Sequence, residues 1–172
     1  MPNRDEFIAE VDALLIARKT LGGIGVPGRW QPGWDGVWQR LKLPLEVDGV
    51  SLGHQALDIE FDPTSSHLVF TINLLCHVCV CRMDFDYTDT HPNTLRNPVD
   101  GVLPIIIGSH FHRWSYNRRF AESSDRLISL NNAEHLPIAI KSFDSALRWF
   151  CDETNIELPH DHWISLPERT LV

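Results

Sequence analysis

From His67 to Phe85 the chain carries a β-branched and apolar run with no Gly or Pro, and such a run belongs in a sheet. Read as one strand, it turns Val69, Thr71, Asn73, Leu75, His77, Cys79 and Cys81 to one face. Phe70, Ile72, Leu74, Cys76, Val78, Val80 and Arg82 turn to the other. Upstream, Leu45–Val50 and Val50–Phe61 read as a hairpin turning at Asp48-Gly49, with Leu57, Ile59 and Phe61 alternating against Asp58 and Glu60. Residues 62–66 form a turn and 86–101 a polar loop, and Val102–Trp114 is a last strand broken near Gly108. Strands that follow one another through short turns make an antiparallel meander.

Helical spacing frames this sheet. Phe7, Val11, Leu14 and Leu15 predict a helix over 4–20, with Asn3 as cap, Glu6 completing a capping box, Lys19 near the negative end and Gly22-Gly23 as the stop. A second helix is predicted over 143–155, with Ser142 as its cap, Asp144 complementing the dipole and Leu147, Phe150 and Cys151 facing inward. Residues 22–44 are dense in Gly, Pro and Trp and read as loop. Trp30, Trp34 and Trp38 either tuck that loop onto the core or offer a stacking platform, and the first reading is preferred. The expectation is one α+β domain over 1–172: an antiparallel sheet with an N-terminal and a C-terminal helix packed on it.

Composition narrows the function. The chain has 172 residues and a formal charge of −8, which opposes tight non-specific nucleic-acid binding. It holds no apolar run of the ~18 residues that a membrane helix needs, so no membrane association is expected. The charged start Met1-Pro2-Asn3-Arg4-Asp5-Glu6 is unlike a signal peptide, and a cytoplasmic location is expected. Charge is uneven: the acids Glu46, Asp48, Asp58, Glu60, Asp62, Asp84, Asp86 and Asp89 crowd 45–90, against Arg82 alone. Arg96, Arg113, Arg118, Arg119 and Arg126 follow.

Two groups carry potential chemistry. Cys76-His77-Val78-Cys79-Val80-Cys81 has the C-x-x-C spacing of a zinc knuckle but no Gly or Pro to make the turn, so buried strand cysteines are preferred over a metal site. In Ser109-His110-Phe111-His112-Arg113-Trp114 a strand turns His110 and His112 to the same face about 7 Å apart. Such a pair can bind a metal given a third ligand, or share acid and base work. Metal-free acid–base work is the reading taken, with no cofactor. The preceding loop, His91 to Gly101, presents Arg96 and Asn97 beside that strand, and Arg113, Arg118 and Arg119 follow as anion-binding candidates.

Over residues 45–155 the chain resembles a family of short bacterial and phage-associated proteins with no assigned activity. Its signature is an Arg-x-Asp strand, a His-Arg-Asn-Pro-Asp-Gly loop, a Pro-His-x-His-x-Tyr strand and a Trp- or Phe-Ala step. Arg82-Met83-Asp84, Arg96-Asn97-Pro98-Val99-Asp100-Gly101, His110-Phe111-His112 with Trp114 in the tyrosine's place, and Phe120-Ala121 match in order. Leu95 stands where the family's loop histidine would be, and His91 takes that place only if the longer loop folds back.

Two functions follow as expectations. The first is a small phosphodiesterase or ribonuclease-like enzyme acting on RNA or a nucleotide. His110 and His112, with His91 and Arg96, would be catalytic, and Asn97, Arg113, Arg118 and Arg119 would bind substrate. Both imidazoles are then expected to open toward solvent. The alternative is a non-catalytic phage or mobile-element protein that binds and inhibits a host complex through the acidic stretch.

Overall fold

Asn3 accepts the Glu6 N–H through its side chain and Glu6 reaches back to the Asn3 N–H, both at 3.0 Å. This capping box starts α1 (Arg4–Ile16), and Phe7, Ile8, Val11 and Leu14 are buried along it. The helix ends at Ile16, short of the expected residue 20. Lys19 instead opens strand β1 (Lys19–Leu21) and folds its ammonium back onto the Leu14 and Ala17 carbonyls at 2.6 and 2.7 Å. A lysine thus satisfies carbonyls that the end of α1 leaves orphaned.

The computed structural model describes residues 3–23, 28–33, 35–94, 99–123 and 130–169. Its order after β1 is β2 (Gln31–Pro32), β3 (Gln39–Val47), β4 (Val50–Phe61), β5 (Phe70–Cys76), β6 (Val78–Phe85), β7 (Thr90–Pro92), β8 (Ile105–Ile107) and β9 (His110–His112). Then come α2 (Trp114–Ser123), β10 (Glu134–His135), α3 (Phe143–Glu153) and β11 (Ile156–Glu157). The main sheet runs β10-β9-β6-β5-β4-β3-β1-β11, with β2 on β3; β7 and β8 form a separate ribbon. All these pairings are antiparallel except β1 with β11. The fold is α+β, as expected.

Several boundaries differ from expectation. Strand β3 begins at Gln39, inside the segment read as loop, because Leu41, Leu43 and Leu45 alternate into the core behind the Gly-rich stretch. Trp30 packs on the core, with its indole N–H on the Ser165 carbonyl, and Trp34 lies outside the described residues. The single strand read over 67–85 is a hairpin: Cys76 pairs with Val78, and His77 alone makes the turn with φ 60°. A bulge between Leu74 and Leu75 shifts the register, so Arg82 lies opposite Asn73 and shares its face. Helix α2 was not expected, being short and strongly polar. The Asp48-Gly49 turn, with φ 52° and 75°, and the cap of α3 by Ser142 form as expected.

Alternation then divides the sheet. Leu41, Leu57, Ile59, Ile72, Met83 and Phe111 point to the side covered by α1 and α3, where Phe111 meets Trp149 and Phe150 edge-on. The paired positions between them (Arg40, Asp58, Asn73, Arg82, Asp84, His110 and His112) make the opposite face polar. Among the described residues no helix is long and apolar enough to cross a membrane.

Candidate functional site

The register of β6 against β9 pairs Arg82 with His112 and Asp84 with His110. Four polar side chains spaced two apart on two strands therefore converge on one patch. Asp84 Oδ2 lies 2.7 Å from Arg82 Nε, 3.3 Å from His110 Nε2 and 3.2 Å from His112 Nε2. The β7–β8 ribbon folds back over this patch and delivers His91. Gly108, at φ 87°, makes the hinge between β8 and β9, and its N–H bonds the Asp89 carbonyl at 2.8 Å. His91 lies 5.0 Å from the His110 ring and 4.6 Å from the His112 ring, centroid to centroid. His91 is thereby placed beside both strand histidines.

Buried asparagines hold the surrounding segments. Asn93 donates to the Leu103 and Ala133 carbonyls and accepts the Ala133 N–H. Asn117 donates to the Arg113 and Asn132 carbonyls and accepts the Asn132 N–H. Between these clamps the Asn131 carbonyl meets His91 Nε2 at 3.3 Å. Two satisfied amides, on Asn93 and Asn117, fix a loop that has little regular structure.

The imidazoles do not open toward solvent as expected. His110 is 1% exposed and His112 0%, while His91 is half-buried. The β7–β8 ribbon and the arginine–aspartate pair cover them. One ring nitrogen of each histidine is engaged by a fixed acceptor: His91 Nε2 by Asn131, His110 Nδ1 by the Gly108 carbonyl at 2.9 Å, and His112 Nε2 by Asp84. Arg82 also approaches His112 Nε2, at 3.3 Å. An ionised carboxylate takes an N–H rather than facing a lone pair, so the acceptors assign the ring hydrogens. His112 Nδ1 is then a buried lone pair, and it meets no hydrogen-bond partner among the described residues. One ligand atom from each of His91, His110 and His112 lies within 4.8 Å of the others.

Electrostatics differ sharply among neighbours. Burial pushes Asp84 up, but the bonds from His110 and His112 and the charge of Arg82 overrule it and hold the carboxyl far below the usual range. Burial also lowers His110, and there the Asp84 and Gly108 acceptors win and raise it. Burial takes His112 down to about 4. Burial lowers His91 as well, against the opposing Asn131 carbonyl.

Of the arginines expected to bind substrate, Arg113 is ion-paired to Glu134 and Glu153 and lies 5.2 Å from the Phe111 ring centroid, on the helix side of the sheet. It is drawn off by partners that only the fold supplies. Arg118 grips Asp12 of α1 at 2.9 Å and pairs with Glu122. The Arg119 guanidinium lies 5.5 Å from the Phe120 ring centroid. Arg96 and Asn97 lie outside the described residues. The guanidinium at the histidines belongs to Arg82, whose side chain is 40% exposed. Arg-x-Asp and His-x-His were both visible in the sequence, but their facing register was not. A cavity of about 160 Å³ on the helix side, lined by Cys81, Phe111, Arg113 and Trp114 among others, lies away from the three histidines.

Three acids of the acidic stretch are engaged inside the molecule. Arg40 grips Asp58 at 2.6 and 2.9 Å, Asp84 serves the histidines, and Asp86 meets His67 at 2.9 Å. Compared with protein-family models, curated proteins and solved structures, the chain finds no match.

Proposed function

We propose that His91, His110 and His112 form a divalent-metal centre of a small hydrolase acting on phosphodiesters, with RNA or a nucleotide as substrate. One observation supports this reading: His91, His110 and His112 each bring a ring nitrogen within 4.8 Å of the others, and each ring has one nitrogen held by a fixed acceptor. That outer arrangement orients metal-binding histidines and raises their basicity. Three imidazoles suit zinc or a similar borderline cation and leave a position for water.

A bound metal of this kind lowers the pKa of its water toward neutrality and so supplies the nucleophile. The chain's own residues do the rest. The Gly108 carbonyl orients His110 and Asp84 orients His112, and Arg82, tied to Asp84 through Nε, offers the exposed remainder of its guanidinium to a phosphate. Burial of His110 and His112 favours this reading over the metal-free relay, because a relay needs both rings to touch the substrate. Docking on a host complex through an acidic surface would have to use the other acids of the stretch, because Asp58, Asp84 and Asp86 are engaged within the fold.

Metal analysis of the purified protein, paired with hydrolysis of an RNA oligonucleotide and of a nucleotide phosphodiester, tests the reading. A metal content that falls by about one per chain in His110→Ala, activity lost on chelation and restored by zinc, and activity lost in that variant are the expected results. Full hydrolysis by the chelated protein would return the site to acid–base chemistry. Absence of both metal and hydrolysis would remove the enzyme reading.

A further inference from the structure

A second group of ligand-bearing side chains lies where α1 crosses the turn between β5 and β6. It consists of Glu10 on α1, His54 on β4, Cys76 at the end of β5 and His77 in the turn itself, and one ligand atom from each lies within 4.8 Å of the others. Glu10 divides its carboxylate, with Oε1 2.5 Å from His54 Nε2 and Oε2 3.1 Å from His77 Nε2. The two imidazoles stack with centroids 3.8 Å apart and planes 10° from parallel. The His77 N–H bonds the His54 carbonyl at 3.0 Å, so the backbone itself holds the rings side by side. His77 does this at φ 60°, a left-handed conformation that costs a branched-out side chain energy and is often kept where a site needs it.

We propose that Glu10, His54, Cys76 and His77 bind one zinc-class divalent cation that staples α1 to the β5–β6 turn. The donor set is two imidazole nitrogens, one thiolate and one carboxylate oxygen. This matches tetrahedral zinc, and the thiolate discriminates against magnesium and calcium. Bond lengths of about 2.0–2.3 Å place tetrahedral ligand atoms about 3.3–3.8 Å apart, so pairs as wide as 4.8 Å close up by ~1–1.5 Å, while the Glu10 contacts to His54 at 2.5 Å and His77 at 3.1 Å open slightly. The charges close as well: a dication with one thiolate and one carboxylate leaves a neutral site. On binding, the Cys76 thiol loses its proton to solvent as the sulfur–metal bond forms, and both histidines bind as neutral rings. Without a cation the thiol keeps that proton, since burial and the neighbouring Glu10 push it up to about 12. The side chains of Glu10, His54 and His77 are 26%, 33% and 21% exposed, which gives an ion a path from solvent. Cys79, the other half of the C-x-x-C spacing, turns away to Asn73 Oδ1 and the Cys81 carbonyl.

Cobalt(II) titration of the full chain tests this site separately from the trihistidine centre, which contains no sulfur. One equivalent should produce a thiolate-to-cobalt charge-transfer band and intense tetrahedral d–d bands. Cys76→Ser should abolish the charge-transfer band, and His110→Ala should leave it. Glu10→Gln and His77→Asn, the latter keeping a residue that tolerates positive φ, should weaken cobalt binding by ~10-fold or more. Zinc should raise the melting temperature of the wild type more than that of His54→Ala. No charge-transfer band in the wild type, or a band that survives in Cys76→Ser or is unchanged in strength and affinity in both Glu10→Gln and His77→Asn, would overturn the proposal. These last two variants keep the test decisive if Cys76→Ser fails to fold.

Discussion

Asp84 and His110 stand directly opposite each other on β6 and β9, with Oδ2 of the one 3.3 Å from Nε2 of the other. The same oxygen serves His112 and Arg82. One half-buried carboxylate thus gathers two imidazoles and a guanidinium around a single oxygen.

Replacing Asp84 by Asn should therefore act on two readouts together. Arg82 and His110 lose their counter-charge in a partly solvated patch, which costs about 2 kcal/mol of stability, between the values for exposed and buried pairs. His112 loses its orienting acceptor, which weakens metal binding by ~10–100-fold. Urea denaturation and metal titration of the same variant check both. A stable variant with unaltered metal affinity would contradict the role given to Asp84.

Arg113→Ala should behave in the opposite way to a substrate-binding arginine. Its partners Glu134 and Glu153 are partly exposed, so the loss is about 1 kcal/mol, including packing of its stem beside Phe111. Metal content and hydrolysis should match the wild type. A large fall in turnover with normal stability would restore the expected substrate role.

Asp58→Lys should unfold the protein rather than abolish a partner contact. The Asp58 side chain is 4% exposed and held by both ends of the Arg40 guanidinium. Placing a lysine against that arginine removes about 3–5 kcal/mol. Circular dichroism during a denaturant titration reads this directly. A folded variant with unchanged midpoint would show that the pair matters little.

Lys19 gives a pH dependence of known sign. The amine is 0% exposed, and burial lowers it from 10.5 to about 8. Between those values the unfolded chain holds more protons than the folded one, so the contribution of Lys19 to stability rises with pH across that window. The span is worth about 3 kcal/mol. Comparing wild type with Lys19→Met across the window isolates the amine from the buried thiols, whose raised values pull stability down at alkaline pH. A stability difference that stays flat with pH would show that the ammonium is not penalised by burial.

Local signals were legible where the cause is local. The Asn3–Glu6 box, the Asp48-Gly49 turn, the break at Gly108 and the Ser142 cap each depend on a few neighbouring residues. The break at His77 escaped notice because nothing in Cys76-His77-Val78 resembles a turn; the left-handed residue is held there by a bond to His54, a residue distant in the chain. The pairing of His110 with His112 was readable from spacing, and their burial was not, because the cover comes from β7 and β8. Arg82 does not read as a site residue from sequence, because its face depends on the bulge between Leu74 and Leu75. Arg113, Arg118 and Asp58 looked available only because their partners Glu153, Asp12 and Arg40 are far away in sequence.

The parallel ladder of Lys19 and Thr20 with Ile156 and Glu157 has a consequence for synthesis. The outer rim of the sheet is laid down early and closed late, so a nascent chain carries an uncapped row of amides and carbonyls until residue 157 has cleared the ribosome. An edge of that kind recruits other edges. Chains cut just before Asn155 should therefore accumulate as strand-to-strand aggregates rather than as shortened monomers.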